Sequence, residues 1–188
     1  MRGGLIAALR GHGIAAVETR EPGGTTLGER VRALFLDPAQ RIDPRAEALL
    51  LNAARTQLVA ETIAPALDAG TWVVSDRFAT STLAYQGYGR GLDLAGLRGL
   101  AAFATGGLEP DLVLLIDVPP DVSRARVRGR PGAEDRVERE DDAFHGRVRD
   151  GYLALARTEP RIVVLDGTQA PGDLLDAAFE HVERLIER

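Results

Sequence analysis

An acidic and a basic residue, Asp76 and Arg77, stand directly after the largely apolar segment 71–75. If that segment is a buried parallel strand, the pair lies at its carboxyl end, where open α/β sheets place their ligands. A carboxylate at that position can hold Mg²⁺ or its waters, and a guanidinium can bind a phosphate in a bidentate manner. An ordinary surface salt bridge would have the same sequence, so the pair predicts a phosphate site only together with other groups.

Polar side chains follow this pair at the spacing of a helix face. In a helix that begins near Ser81, this residue and Tyr85 share one face, and Thr82 and Gln86 share another, because residues four apart are neighbours. Hydroxyl, phenol and amide groups beside a phosphate-binding arginine suit a nucleoside. The alternative is a polar helix start with Tyr85 in the core. Arg55, in an apolar-rich predicted helix, is either an exposed helix charge or a second anchor in the same cleft.

A glycine-containing turn precedes the second predicted helix. Residues 20–24 read Arg-Glu-Pro-Gly-Gly and follow a predicted strand. Their glycines permit close approach of the backbone to a ligand, and the amides that open a helix can hold an anion. Such turns are common, so this one supports a ligand site only weakly.

Arginines are concentrated in the segment 124–140. Six lie there: Arg124, Arg126, Arg128, Arg130, Arg136 and Arg139. An arginine-rich loop can close over a polyphosphate, exclude water and neutralise charge on a transferring phosphoryl group. The alternative is a solvated charged segment, since acidic residues are interspersed: Glu134, Asp135, Glu138, Glu140, Asp141 and Asp142. We predict a lid over about 124–140.

The elements that must position these groups alternate between helix and strand. Strands are predicted at 14–19, 71–75, 111–117 and 161–166, and helices at 3–11, 27–37, 45–68, 81–86, 94–101, 120–129, 144–155 and from 171 onward. The third strand carries five apolar residues in succession, as a parallel strand covered on both faces requires. This alternation predicts an α/β fold, with a three-layer parallel sheet flanked by helices in one domain, 1–188.

Composition excludes several classes of protein. A net charge of -5 argues against a general nucleic-acid binder, whose affinity would rest on a basic face. The absence of cysteine rules out disulfides and thiolate metal sites, and no apolar run is long enough for a membrane span. We therefore expect a cytoplasmic protein without nucleic-acid or membrane partners. All 23 basic residues are arginine, so any anion clamp must be built from guanidinium groups.

Seven segments, in this order and at this spacing, resemble bacterial thymidylate kinases. They are Arg20-Glu-Pro-Gly-Gly-Thr, Ala54-Arg55-Thr-Gln57, Asp76-Arg77-Phe78, Ser81-Thr82-Leu-Ala-Tyr85-Gln86-Gly, Gly89-Arg90-Gly91-Leu, Phe103-Ala-Thr-Gly-Gly-Leu-Glu-Pro-Asp111-Leu and Asp135-Arg136-Val-Glu138. The resemblance implies transfer of the γ-phosphoryl group of ATP to thymidine monophosphate (dTMP), giving dTDP, with Mg²⁺. It also implies a five-stranded parallel sheet of the P-loop nucleoside monophosphate kinase type and a homodimer.

The same resemblance assigns roles to individual residues. The dTMP pocket is expected to be lined by Glu21, Pro22, Arg32, Leu51, Arg55, Arg77, Thr82, Tyr85 and Gln86. Within it, Arg77 and Arg55 would bind the phosphate and the base, and Tyr85 would lie under the sugar. Thr82 and Gln86 would meet the thymine. Leu51 stands where the family usually has a phenylalanine that stacks on the thymine.

Catalytic roles are implied in the same way. Asp76 would act near the acceptor phosphate and hold the metal through water, with Arg77 beside it. Three lid arginines would reach the donor phosphates: Arg126, Arg128 and Arg136.

One departure from the family is larger. Its members begin with a buried central strand and a glycine-rich phosphate loop, the Walker A motif, before a helix that residues 5–10 resemble. The sequence contains no such motif and no lysine, so the amide cradle and the ammonium group for the phosphates are absent. We expect Met1 to be an internal methionine or the chain to be truncated, and we expect no ATP turnover from it. The alternative is a catalytically inactive nucleotide-binding or regulatory remnant that keeps the dTMP pocket.

Overall fold

A computed structural model describes residues 1–129 and 131–187. The described residues form four strands: β1 Ala16–Arg20, β2 Trp72–Asp76, β3 Val113–Asp117 and β4 Ile162–Asp166. The α-helices are α1 Arg2–Gly11, α2 Thr26–Leu36, α3 Pro44–Leu58, α4 Ala64–Asp68, α5 Ala79–Thr82, α6 Leu94–Thr105, α7 Pro120–Arg128, α8 Asp142–Thr158 and α9 Pro171–Ile186. Two π-helical segments, Val59–Ile63 and Leu83–Gly89, continue α3 and α5. The predicted α/β alternation is confirmed. Arg130 of the predicted lid lies outside the described residues.

The strands form two parallel pairs. β1 pairs with β2, with Arg20 opposite Asp76, and β3 pairs with β4, with Asp117 opposite Asp166. Within residues 1–129 and 131–187, no hydrogen-bonded ladder joins the two pairs. The structure therefore differs from the single five-stranded sheet that the resemblance implied.

A cavity of about 1310 Å³ lies between β2 and β3. Both strands line it, together with apolar residues of α1 and α9 such as Leu5 and Val182. As a result, every residue of β3 is only half-buried, whereas β1 and β4 each contain fully buried residues. We predicted β3 to be covered on both faces from its apolar run. Its cover is incomplete because the cavity runs along it.

Two packed clusters hold the elements that carry the site. The first joins α1, β1, β4 and α9 through Leu9, Ala16, Leu165 and Ala178. In the second, Phe144 and Val148 of α8 pack on Ala84 of the 83–89 π-helix. The second cluster positions the π-helix, and with it Tyr85, at the carboxyl ends of the strands.

Helix boundaries follow from local chemistry. Thr25, Asp43, Asp93 and Asp141 are N-caps whose side chains accept hydrogen bonds from backbone N–H groups in the first turn. The predicted helix over 45–68 is present, and the 59–63 π-helix makes it irregular just before Pro65. Pro65 lacks an N–H donor, and the wider π turn directly precedes α4, which contains it.

Across the described parts of the chain, none of the helices has the length and apolarity that crossing a bilayer requires.

Candidate active site

Residues at the carboxyl ends of β1 and β2 lie next to one another. Because the two strands are parallel and in register, Arg20 lies opposite Asp76, and the Glu21 N–H donates to the Asp76 carbonyl oxygen at 2.9 Å. The turn after β1 and the acid–base pair after β2 are thereby neighbours. This confirms that Asp76 and Arg77 stand at a strand end.

Arg55 is buried, which excludes the exposed helix charge, one of the two possibilities left open by the sequence. Its side chain is 2% exposed. Nε and Nη2 donate to Glu21 Oε2 at 2.9 and 2.7 Å, Nη2 also donates to Thr82 Oγ1 at 3.0 Å, and Nη1 donates to Asn52 Oδ1 at 2.8 Å. The Phe78 ring lies 5.5 Å from the guanidinium carbon. Three separate segments of the chain are thus joined at one guanidinium group.

The carboxylate of this buried ion pair is costly to desolvate. Burial raises the pKa of Glu21 above its usual value, and the charge and hydrogen bonds of Arg55 act in the opposite direction. Since each partner compensates the other, loss of either one leaves an uncompensated buried charge. Burial of either charge is therefore tolerated only while its partner is present.

Arg77 is held in an unusual backbone conformation. Its φ of 73° makes it the one residue other than glycine with positive φ in the described chain. Nη2 lies 3.3 Å from Tyr85 Oη, and Nη1 lies 3.5 Å from Tyr152 Oη. The guanidinium carbon also lies 5.0 Å from the centre of the Tyr85 ring. Strain of this kind often marks a functional position, because the surrounding structure must maintain it.

Tyr152 was not among the predicted site residues. Its Oη donates to Ser81 Oγ at 2.7 Å and faces Arg77. Burial raises the pKa of the Tyr152 phenol, with Arg77 opposing, so the hydroxyl stays protonated at neutral pH. The sequence places Tyr152 on the apolar face of α8, where its ring suggested only packing. Its hydroxyl group was the one feature in the sequence that could have indicated a polar role.

Some of the predicted acceptor and lid residues line the cavity. They are Asp76, Arg77, Tyr85 and Arg128. Further basic residues that line it are Arg124, Arg139 and Arg149. Arg149, from α8, forms a bidentate pair with Asp117 at the end of β3, at 2.7 and 2.8 Å. The lining of the cavity therefore combines several guanidinium groups with several carboxylates, among them Asp76 and Asp117 at strand ends.

Other predicted residues lie elsewhere. Arg126 donates to the Gly167 carbonyl oxygen at 2.9 Å, beside the end of β4, and Arg32 donates to the Pro22 carbonyl oxygen at 3.1 Å. Leu51 is half-buried on α3, one turn before Arg55. The remaining two predicted residues, Gln86 and Arg136, both contact the buried carboxylate of Glu47. Arg128 is thus the one donor-phosphate arginine of the predicted three that lines the cavity.

The chemistry of the site suits a metal ion that arrives with a ligand. Among the described residues, no group of three or more histidine, aspartate or glutamate side chains could hold a metal by itself. Asp76 presents a carboxylate that is 64% exposed and lines the cavity. One carboxylate combined with phosphate oxygens and waters is a common way to bind Mg²⁺. Asp76 fits that role.

Comparison with known proteins gives consistent matches. The model of the family described as thymidylate kinase matches residues 3–177. A thymidylate kinase of Carboxydothermus hydrogenoformans is 55% identical over 161 residues, which is 86% of this chain and 78% of that protein. A thymidylate kinase of Deinococcus radiodurans is 53% identical over 92% of this chain and 84% of its own length. One from Chromobacterium violaceum is 49% identical over 96% of this chain and 85% of its own.

Proposed function

We propose, from the premise that the chain belongs to the thymidylate kinase family, that the pocket beside Arg77 at the carboxyl end of β2 binds dTMP as the acceptor of a phosphoryl group from ATP, giving dTDP. The observation that carries the proposal is the position of Arg77. The backbone of Arg77 has a positive φ, and its guanidinium group donates to the hydroxyls of Tyr85 and Tyr152. Like Asp76 beside it, Arg77 lines the cavity. A guanidinium group oriented in this way suits a phosphate monoester.

The acceptor nucleotide is proposed to lie between Arg77 and Arg55. Arg77 would bind the phosphate, and the Tyr85 ring would support the sugar. Four of the five N–H donors of Arg55 have acceptors among the described residues, which leaves one N–H on Nη1 for an oxygen of the base. Thr82 and Gln86 are each 1% exposed, so we assign them to the layer behind the base.

Leu51 shapes the same pocket differently from a phenylalanine. A leucine offers apolar contact but no aromatic face on which a thymine could stack. We propose that recognition of the base in this protein depends more on Arg55 and Tyr85. We assign Glu21, Pro22 and Arg32 to the rest of the pocket wall. Arg32 donates a hydrogen bond to the Pro22 carbonyl oxygen, and Glu21 accepts hydrogen bonds from Arg55.

Catalysis in this proposal consists of positioning and charge neutralisation. Asp76 would hold Mg²⁺ through water, and the ion would supply positive charge against the phosphate groups. Arg77 orients the acceptor phosphate, and Arg128 adds positive charge from the proposed lid. Arg126, beside the end of β4, lies at the same edge of the fold and is proposed to reach the donor.

The donor half is proposed to require a further strand. The sequence has neither lysine nor a Gly-x-x-x-x-Gly-Lys motif, and no strand of the described residues pairs with the edges of β2 and β3 that face the cavity. We propose that this gap is the place of the family's central strand and phosphate loop, and that the 188 residues alone do not turn over ATP. The same observation favours a second candidate, a catalytically inactive nucleotide-binding protein.

Thermal shift and kinase assays test both candidates. Saturating dTMP, at about 100 times its Kd, should stabilise the chain by about 2.7 kcal/mol and so raise the Tm by about 5–11 °C. ATP should produce no shift, because the phosphate cradle is absent. In a coupled assay, the 188 residues should be inactive and a chain extended upstream should be active. Deoxyguanosine monophosphate is the control for binding through phosphate alone.

Each outcome of these assays has a distinct meaning. An unchanged Tm with dTMP, and no heat on titration, would remove the acceptor pocket from the proposal. Turnover by the 188 residues alone would contradict the need for a further strand. An inactive extended chain that still binds dTMP would favour the second candidate.

We further propose that the protein is a homodimer through α3 and α6. These helices pack on each other and present Leu49, 58% exposed, and Phe103, 85% exposed. Burying such side chains against a second copy would remove apolar area from water. Phe103→Glu should convert the dimer to a monomer, measured by light scattering after size-exclusion chromatography. Val164→Glu, at another exposed apolar position, should leave the dimer intact, and a monomeric wild type would contradict the proposal.

A further inference from the structure

A second buried carboxylate lies outside the proposed catalytic groups. Glu47, in the first turn of α3, is 1% exposed, and three side chains donate to it. Gln86 Nε2 donates to Oε2 at 2.9 Å, and Arg136 Nη1 donates to Oε1 at 2.6 Å. Arg90 donates to both oxygens, through Nε at 3.3 Å and through Nη2 at 3.0 Å. Charge-assisted hydrogen bonds of this kind are among the strongest in proteins.

The three donors come from two functional parts of the molecule. Gln86 belongs to the 83–89 π-helix, which also carries Tyr85, and Arg90 follows that helix directly. Arg136 belongs to the described segment 134–141, which we call the lid-base segment. Glu47 therefore joins the wall of the proposed dTMP pocket to the C-terminal part of the predicted arginine-rich lid.

The lid-base segment is built as a compact turn and held in place by Arg136. The Asp135 carboxylate accepts from the N–H groups of Val137 and Glu138, each at 2.9 Å. The backbone N–H of Arg136 donates to the Leu36 carbonyl oxygen at 3.0 Å, and its Nε donates to the Phe35 carbonyl oxygen at 2.8 Å. The segment is therefore attached to the end of α2 and to Glu47 at the same time.

A second link runs through Arg90. Its Nη2 also donates to Glu140 Oε1 of the lid-base segment at 2.6 Å, and its guanidinium carbon lies 4.6 Å from the Phe144 ring. Two atoms of the cluster, Gln86 Oε1 and Arg136 Nη2, are buried without a hydrogen-bond partner in the described residues. A buried polar group without a partner is costly, so these two atoms offer unused hydrogen-bonding capacity within the cluster.

We propose that Glu47 is a positioning residue that couples occupancy of the dTMP pocket to the order of the lid-base segment. The inference rests on the proposed function. A nucleotide that binds against Tyr85 also restricts the motion of the 83–89 π-helix. Through the hydrogen bonds of Gln86 and Arg90, this restriction extends to Glu47 and from there to Arg136. Because coupling between sites is reciprocal, an ordered lid-base segment strengthens dTMP binding in turn. Arg136 then acts through the fold and does not itself contact the donor phosphates.

Hydrogen exchange with and without dTMP tests the coupling in the 188-residue chain. In the wild type, dTMP should slow exchange in peptides from both 83–90 and 134–141. Glu47→Gln keeps the side-chain size but places an amide donor against guanidinium donors. It should weaken dTMP binding by about 5-fold or more and abolish the protection of 134–141, while the protection of 83–90 remains.

Two further variants complete the test. Glu159→Gln is the matched control, because Glu159 also lies between two arginines, Arg98 at 2.8 Å and Arg161 at 3.3 Å, but away from the lid-base segment. It should leave both protections unchanged. Arg136→Lys keeps the positive charge but loses the planar guanidinium group. It should abolish the dTMP-dependent protection of 134–141 in the same way as Glu47→Gln. It therefore still tests the coupling if Glu47→Gln does not fold.

The outcomes separate this inference from the proposed function. Failure of the wild type to bind dTMP in calorimetry would overturn the proposed function and this inference with it. Binding of dTMP without protection of 134–141 would overturn the inference alone. Full retention of that protection in folded Glu47→Gln or in Arg136→Lys would do the same.

Discussion

Arg77→Gly should lose dTMP affinity by about 10- to 100-fold, since a charge-assisted hydrogen bond contributes about 1.5–3 kcal/mol and each 1.4 kcal/mol is tenfold in Kd. Glycine accepts the positive φ at this position without strain, whereas alanine does not. The free energy of unfolding of Arg77→Gly should therefore be about 1 kcal/mol higher than that of Arg77→Ala. Calorimetry with dTMP and urea unfolding measure the two effects separately.

A surface arginine provides the control for this prediction. Arg98 on α6 is 47% exposed, pairs with Glu159 and is not among the residues that line the cavity. Arg98→Ala should bind dTMP like the wild type. Wild-type dTMP affinity in Arg77→Gly would exclude Arg77 from the site, and equal stability of the glycine and alanine variants would show that the backbone at this position is not strained.

Arg55→Ala should destabilise the protein by about 3–5 kcal/mol, because it leaves the Glu21 carboxylate buried without its partner. For a chain of this length we expect the Tm to fall by about 6–20 °C. The double variant Glu21→Leu with Arg55→Met replaces both charges by apolar groups and should recover most of the lost stability, but not dTMP binding. This contrast separates the role of Arg55 in folding from its role in the pocket.

The same ion pair predicts a dependence of stability on pH. Because burial raises the pKa of Glu21 above 4.5, the folded state holds this proton at pH values where the unfolded state has released it. The contribution of Glu21 to the free energy of unfolding therefore falls as pH rises from about 4.5 through the raised pKa. Glu21→Gln removes that contribution, so the stability difference, wild type minus variant, should decrease with rising pH. A constant difference would contradict the raised pKa.

The sequence predicted the secondary structure better than the burial of its strands. Alternating helix and strand patterns depend on local periodicity, and all four strands and the main helices lie within a few residues of the predicted positions. The half-buried state of β3 could not be predicted in the same way, because the apolar run of residues 113–116 is the same whether or not a neighbouring strand covers it.

Sequence spacing predicted the position of some candidate residues and gave no indication of others. Asp76 and Arg77 lie at the predicted strand end, because a strand end is a local feature. Glu47 resembled an ordinary acidic residue in the first turn of a helix, and its partners lie 39, 43 and 89 residues away in the chain. Tyr152 lies 71 residues from Ser81. Contacts at such separations are set by tertiary packing, which no periodic pattern records.

The gap between the two strand pairs also bears on handling the protein. Along the cavity, β2 and β3 present backbone N–H and C=O groups to which no described strand is hydrogen-bonded. Open strand edges of apolar sequence are templates for pairing with other chains. Association of the 188 residues at high concentration would therefore proceed through β-strand addition, and a short extended peptide that occupies the gap should act as a solubilising agent.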